Sequence, residues 1–333
     1  MDSRVLSLWK HPTSVQTRDI PAISGVPIIS LSELAPRKLR APFDLIFLML
    51  KFRSFIKMTE AQSEDKKINV VLTHYSTFAL FCFVPRLHRY CFIQGEEWKV
   101  FPDGLRRWAL RQFIVAACRR CRVITANTYL TECMSRAKVV PLAEARIWAA
   151  PDFRTQPGEA NRPIDFVVVL RHGYHKRLDL YKQLLRDTSR EGLSAAAIAC
   201  DDDIACQAAR LVDVCLLRPS KEEMRSVYQR AKTFVLLSET EGFGLPPLEA
   251  MGAGCVPICR DSGGVRCYMT GSLANNLIPL QAPLETTIER LRVLLADRML
   301  LHKLSADARQ IFLAGARRSS EERERALTCL ALA

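Results

Sequence analysis

No apolar run in these 333 residues approaches the roughly 20 needed to cross a bilayer. The stretch DLIFLMLKF at 44–52 is far too short. The opening residues, MDSRVLSLWKHPTSVQ, lack the apolar centre and small-residue cleavage site of a secretory signal. The expected location is therefore the cytoplasm, peripheral at most on the inner face of a membrane. No internal repeat and no low-complexity tract is visible, which excludes solenoid and disordered classes. The 12 cysteines are scattered through apolar segments, and the one Cys-x-x-Cys pair, Cys118 and Cys121, has no second pair at zinc spacing. They read as small buried hydrophobes of a reducing compartment. No zinc finger, helix-turn-helix or aromatic-rich RNA motif accompanies the basic residues, so a nucleic-acid partner is not expected. Glycine is scarce early: Gly25 is the one glycine before Gly95.

What is present is a globular composition, 49% hydrophobic and 25% charged, long enough for two cores. The net charge is +13 and uneven. Residues 1–158 hold 24 Lys+Arg against 13 Asp+Glu, and residues 159–333 hold 24 against 22. A basic half points to an anionic partner, such as a membrane surface or an acidic acceptor, or simply to a solvated surface.

Strand and helix signals alternate, which indicates parallel sheets with crossovers. GVPIIS, NVVLTHY, RYCFIQ and RVITANT read as strands of a first half. LRRWALRQFIVAACRRC reads as a helix with Leu105, Trp108, Phe113 and Ala116 along one face and six arginines around it: Arg106, Arg107, Arg111, Arg119, Arg120 and Arg122. A basic amphipathic helix of this kind docks on anionic lipid or merely solvates a core helix. PDFRTQPGEANRP (151–163), with three prolines, is the expected linker. Beyond it, IDFVVVL, LSAAAIAC, DVCLL, TFVLLS and CVPICR are strands of a second half. Ser220 and Glu223 have capping-box spacing ahead of a helix, and the C-terminal stretch from Leu284 is helical.

The densest chemistry lies in SETEGFGLPPLEAMGAGCVPI, residues 238–258. A strand ends there and a helix begins. Gly242 and Gly244 let backbone approach a ligand without a Cβ in the way. Pro246 or Pro247 suits the first helical turn, and the free N–H groups of that turn suit a phosphate. Glu241 precedes the turn and Glu249 stands eight residues on, so both can face one crevice. Carboxylates there can accept hydrogen bonds from the paired hydroxyls of a sugar or ribose. A glycine turn with two solvated acids is the plainer reading of any shorter match.

The whole word E-G-F-G-L-P-P-L-E-A-M resembles the E-x7-E signature of the retaining family 4 glycosyltransferases. The resemblance implies an α/β, GT-B architecture: two Rossmann-like βα domains with a cleft between them. It places an acceptor-side domain at 1–158, shortened at its start, and a nucleotide-sugar domain with a helical tail at 159–333. It continues upstream, where FVVVLRHGYHKRLDLYKQLL supplies Arg171 and Lys176 in the positions that hold the donor diphosphate. Leu217–Pro219 would lie by the nucleobase. Glu249 would bind the ribose, while Glu241 and the backbone of Gly242, Phe243, Gly244 and Leu245 would hold the donor sugar. YCFIQGEEWKVFP is similar to a stretch of rhamnosyltransferase-like members, with Gln94 where a histidine is common and Glu97 at an acid position. His74, at the end of the preceding strand, is a second candidate near the reacting carbon. The implied partners are a nucleotide sugar and a glycan or lipid-linked acceptor, with no cofactor and no metal. The acids Asp201–Asp203 are expected in a loop. The family's early Gly-rich loop has no counterpart before Gln94. This departure favours a rival reading, a non-catalytic protein of the same fold that binds a nucleotide sugar or a partner enzyme.

Overall fold

The computed structural model describes residues 5–7, 28–30, 70–72, 89–145, 153 and 162–332. His74 and most of the expected linker, apart from Phe153, Arg162 and Pro163, lie outside them. The chain forms two compact units, Met1–Cys91 and Phe92–Ala333. In the first, β1 (Val5–Ser7) pairs in parallel with β2 (Ile28–Ser30). Also in the first, β3 (Val70–Leu72) pairs in parallel with the start of β4 (Arg89–Ile93), where Leu72 faces Cys91.

In the second unit the Ile93 carbonyl at the end of β4 accepts from Ala126 N at 2.9 Å. Ala126 follows β5 (Arg122–Thr125), which pairs in parallel with β6 (Pro141–Glu144). The strand β6, PLAE, has no β-branched residue and gives no strand signal in the sequence. Two helices belong to this region, Leu105–Cys118 and Thr128–Arg136. The first differs from expectation. Its buried residues are Ile114, Val115, Ala117 and Cys118, all in its C-terminal part, while Leu105 and Trp108 are 78% and 60% exposed. Phe113 is 39% exposed, so the apolar face read from Leu105, Trp108 and Phe113 is covered only toward its C-terminal end.

The larger sheet has six parallel strands: β7 (Ile164–Leu170), β8 (Ala195–Ala199), β9 (Val214–Leu217), β10 (Ala231–Leu236), β11 (Val256–Arg260) and β12 (Leu277–Ile278). Their order is β12-β11-β10-β7-β8-β9. Strands covered on both faces read as continuous apolar runs, and every residue of β8 and β11 is buried. Ser220 and Glu223 form the full capping box ahead of helix Lys221–Arg230. The helical C-terminus is broken at Asp297 into Leu284–Ala296 and Arg298–Leu332. The second of these packs on helix Leu245–Gly252 and reaches β6. Asp201–Asp203 do not form a loop. Asp201 caps helix Asp202–Ala208, and acids suit that end because the helix dipole is positive there. Among the described cysteines none forms a disulfide.

The order reverses between β7 and β10. In open parallel sheets ligands bind outside the carboxyl ends of strands at such a switch point. Two loops meet there, the one after β7 and the one after β10.

Candidate functional site

The loop after β10 is shaped by backbone contacts that only glycine permits. At Gly242 a Cβ would overlap the Gln94 carbonyl, and at Gly264 it would overlap the Gly242 carbonyl. Gly244 has φ +79 and caps helix Leu245–Gly252, with Pro246 and Pro247 in the first turn. Tyr268 Oη donates to the Gly244 carbonyl at 2.7 Å. The Phe243 side chain is buried 5.6 Å from the Tyr268 ring, edge to face. The word Gly-Phe-Gly thus puts an anchor inside the core and leaves backbone at the surface of the loop.

Asn127 fixes this loop from the other sheet. Its side chain is fully buried. Its Oδ1 accepts from Leu130 N at 2.9 Å, capping helix Thr128–Arg136, and its Nδ2 donates to the Gly242 carbonyl at 2.6 Å. Two residues on, the Tyr129 ring lies where a side chain at Gly263 would be, at φ +89. Asn before an amphipathic stretch is a readable cap, but its bond to a residue 115 positions away is not readable from sequence.

The acids and cations come together in part. Lys176 donates to Glu241 Oε1 at 2.7 Å, with only 21% and 14% of the two side chains exposed. Glu239 N donates to the His175 carbonyl at 2.8 Å, which ties the two loops together. Glu249 lies one turn into its helix. Burial pushes its carboxyl up to about 7, against the opposing pull of Arg171 and then Lys221. Arg171, immediately after β7, is exposed and acts on Glu249 through its charge. The sequence reading did not single out His175. Its Nδ1 is buried without a partner among the described residues, and burial, then the Lys176 charge, pushes the imidazole pKa below its ordinary value. Gln94 touches the glycine loop through its carbonyl, and its side chain is exposed. Asp202 pairs with Arg218 and Asp203 with His172. No cluster of three metal-ligating side chains occurs among the described residues.

A cavity of about 530 Å3 adjoins the loops. Glu239, Asp261, Ser262 and Gly263 form one wall, and Glu96, Trp98, Arg111, Tyr129 and Arg136 the other. Tyr129 donates to Glu96, Lys99 pairs with Glu96, and Arg266 grips Asp261 through two bonds of 2.6 Å. Arg171, Lys176, Glu241 and Glu249 do not line this cavity. It adjoins the loop after β10 through Glu239 and through Ser262, whose carbonyl accepts from Glu241 N at 2.9 Å.

Comparison with known proteins follows this geometry. Residues 150–311 match the family model of glycosyl transferases group 1. A GDP-mannose:cellobiosyl-diphosphopolyprenol alpha-mannosyltransferase of Xanthomonas oryzae pv. oryzae is 49% identical over 45 residues, 14% of this chain and 12% of that protein. The chain is matched to such sequence relatives over 16% of their length or less. Among solved structures, sucrose-phosphate synthase of Thermosynechococcus elongatus superposes with a TM-score of 0.73 at 15% identity, covering 99% of this chain and 89% of that one. HepE of Anabaena, in complex with UDP, gives 0.70 at 12% identity and covers both chains fully. The chain has the GT-B fold.

Proposed function

We propose that this chain is a retaining glycosyltransferase. It moves a hexosyl or deoxyhexosyl group from a nucleotide-diphosphate sugar to a growing surface glycan or lipid-linked acceptor. The observation that carries the reading is the glycine-locked loop at the switch point, with Glu241 and Glu249 on either side of Gly242–Leu245. The match of residues 150–311 to group 1 glycosyl transferases supports it, as do the names of the relatives. Residues 159–333 would hold the donor and residues 1–158 the acceptor.

In this reading Glu249 accepts from the ribose hydroxyls. The loop backbone and Glu241 hold the donor sugar, and Arg171 and Lys176 hold the diphosphate. The Lys176–Glu241 pair then opens, and Lys176 exchanges a carboxylate for phosphate. The bond from the anomeric carbon to the phosphate oxygen breaks while the acceptor oxygen bonds that carbon on the same face. The acceptor proton passes to the leaving phosphate. Cations fixed where negative charge develops contribute most to such a step, and two of them replace the charge of a metal. Gln94 and His74 are the proposed groups near the reacting carbon.

The protein would work in the cytoplasm on the inner membrane face. No described helix is long and apolar enough to cross a membrane. Exposed Leu105 and Trp108 beside Arg106 offer a surface for peripheral attachment. Transfer from a panel of nucleotide sugars, assayed with and without EDTA, tests the reading. Turnover that survives EDTA supports it. Turnover lost in EDTA and restored by magnesium or manganese refutes the metal-free mechanism. Donor binding with neither transfer nor hydrolysis would favour the non-catalytic rival.

A further inference from the structure

A second, smaller cavity of about 250 Å3 lies between the ends of helices Leu105–Cys118 and Thr128–Arg136. Its charged lining is Arg111, Arg119, Arg136 and Lys138, and no carboxylate lines it. Arg111 and Arg136 line both this cavity and the larger one, so the two are neighbours. We propose that this groove binds the diphosphate of an acceptor substrate and that the larger cavity receives the sugar attached to it. This rests on the proposed glycosyl transfer and names the acceptor chemistry for it.

All four cations are exposed at the groove surface, where salt screens their mutual repulsion and an entering anion would meet four charges of one sign. Cations at helix C-termini are ordinary because the dipole is negative there, and that accounts for Arg119, Arg136 and Lys138. It does not account for Arg111, which stands in mid-helix. Each guanidinium has a neighbour of its own. Arg111 lies 6.0 Å from the Trp98 ring centre. Arg119 donates to the Ala137 carbonyl at 3.0 Å, and Arg136 donates to Cys133 Sγ at 3.4 Å. Planar guanidinium forks match phosphate oxygens in pairs. Lys138 sits at φ 58, in a helix-ending turn where Val139 N donates to Met134 O at 3.0 Å. That left-handed position favours glycine, so a lysine there is a strained choice that adds a fourth cation. The volume admits one or two phosphates. At the far wall of the larger cavity, the Ser262 hydroxyl is buried and has no partner among the described residues.

The probe is inorganic pyrophosphate, titrated by calorimetry at low salt into three full-length proteins: wild type, Arg171→Glu and the pair Arg111→Glu/Arg136→Glu. Arg171→Glu disables the proposed donor site, so binding that persists in it reports the groove. The proposal expects that binding to persist there and to weaken at least tenfold in the Arg111/Arg136 pair. Binding within twofold of wild type in the pair overturns it, as does no binding in Arg171→Glu. If the charge-reversed pair fails to fold, Arg111→Gln/Arg136→Gln is measured instead against the same thresholds. A second arm uses phosphatidylcholine vesicles with and without a polyprenyl diphosphate. Vesicle affinity at least tenfold above that for pyrophosphate supports the groove with its diphosphate on a lipid. Equal affinity supports it with a soluble diphosphate. Nucleotide-sugar stabilisation of the same wild-type sample is recorded in parallel. Its absence would refute the proposed function, whereas pyrophosphate binding alone decides the groove.

Discussion

The two walls of the larger cavity are built differently. The β10–β11 wall is packed backbone to backbone, and its cation Arg266 is matched by Asp261. The opposite wall sets Arg111 by the Trp98 ring and Arg136 by Cys133, and neither arginine pairs with a carboxylate among the described residues. Tight packing leaves little choice of residue, so the first wall writes a long, specific word into the sequence. A solvated wall accepts many residues, so its sequence says only that it is basic. Substitutions should therefore be costly on the first wall and cheap on the second, where the effect should appear in ligand affinity.

The largest effect is expected at Gly242. Valine there would drive side-chain carbons into the Gln94 carbonyl, which is backbone and does not move aside. The expected loss exceeds about 3 kcal/mol, beyond ordinary overpacking, together with loss of nucleotide-sugar binding. A denaturant midpoint equal to wild type would break the contrast between the walls.

Glu249 comes next, through pH. Its carboxyl is raised from an ordinary 4.5 to about 7 by burial. A group raised on folding contributes stability that is fully present below the lower value and is lost as pH climbs through the higher one. At about 1.4 kcal/mol per unit, the loss between pH 4.5 and pH 8 is on the order of 3 kcal/mol. Glu249→Gln should remove that slope and be more stable than wild type at pH 8. Urea melts at pH 5 and pH 8 measure it, and parallel slopes in the two proteins would contradict the burial of this acid.

Asn127 sharpens the comparison because it joins the walls. Asn127→Ala loses the helix cap and strands the Gly242 carbonyl, at a cost of about 2 kcal/mol. Asn127→Asp keeps the cap acceptor but sets a buried carboxylate oxygen against the Gly242 carbonyl, so at pH 8 it should lose at least as much stability as alanine and weaken donor binding. Equal donor affinity in Asn127→Asp and wild type would show that the Gly242 bond does not position the loop.

The smallest effect on folding is expected at Trp108, which is 60% exposed. Trp108→Ser should change stability by less than about 0.5 kcal/mol. Its effect should appear on anionic vesicles, where each nearby basic residue contributes about 1 kcal/mol and salt weakens the attachment. Sedimentation with anionic vesicles equal to wild type would remove this helix from the proposed anchor.

The sequence was legible where local rules and tertiary packing agree. The apolar runs of β7, β8, β10 and β11, the Ser220–Glu223 box and the glycine loop after β10 follow from residue type and spacing alone. It was misleading where packing simply stops. Leu105, Trp108 and Phe113 have helical spacing, but they are 78%, 60% and 39% exposed. It was silent where function depends on distant partners. Neither Asn127 against Gly242 nor Tyr129 against Gly263 leaves a local trace. Nor does the pairing of Lys176 with Glu241, 65 positions apart. Asp201–Asp203 were placed in a loop on the family resemblance, whereas Asp201 stands at the N-cap position and Asp202 and Asp203 open a helix, an end where acids are at home.

The central claim is that a nucleotide sugar binds at the loop bounded by Glu241 and Glu249. Thermal stabilisation by a panel of nucleotide-diphosphate sugars, read in wild type and in Glu249→Ala, tests it most directly. The account predicts that one of them, at 100 times its dissociation constant, stabilises wild type by about 2.7 kcal/mol. It also predicts that Glu249→Ala, folded by circular dichroism, loses most of that gain. Stabilisation of the two proteins by the same amount, or of neither by any nucleotide sugar, would contradict it.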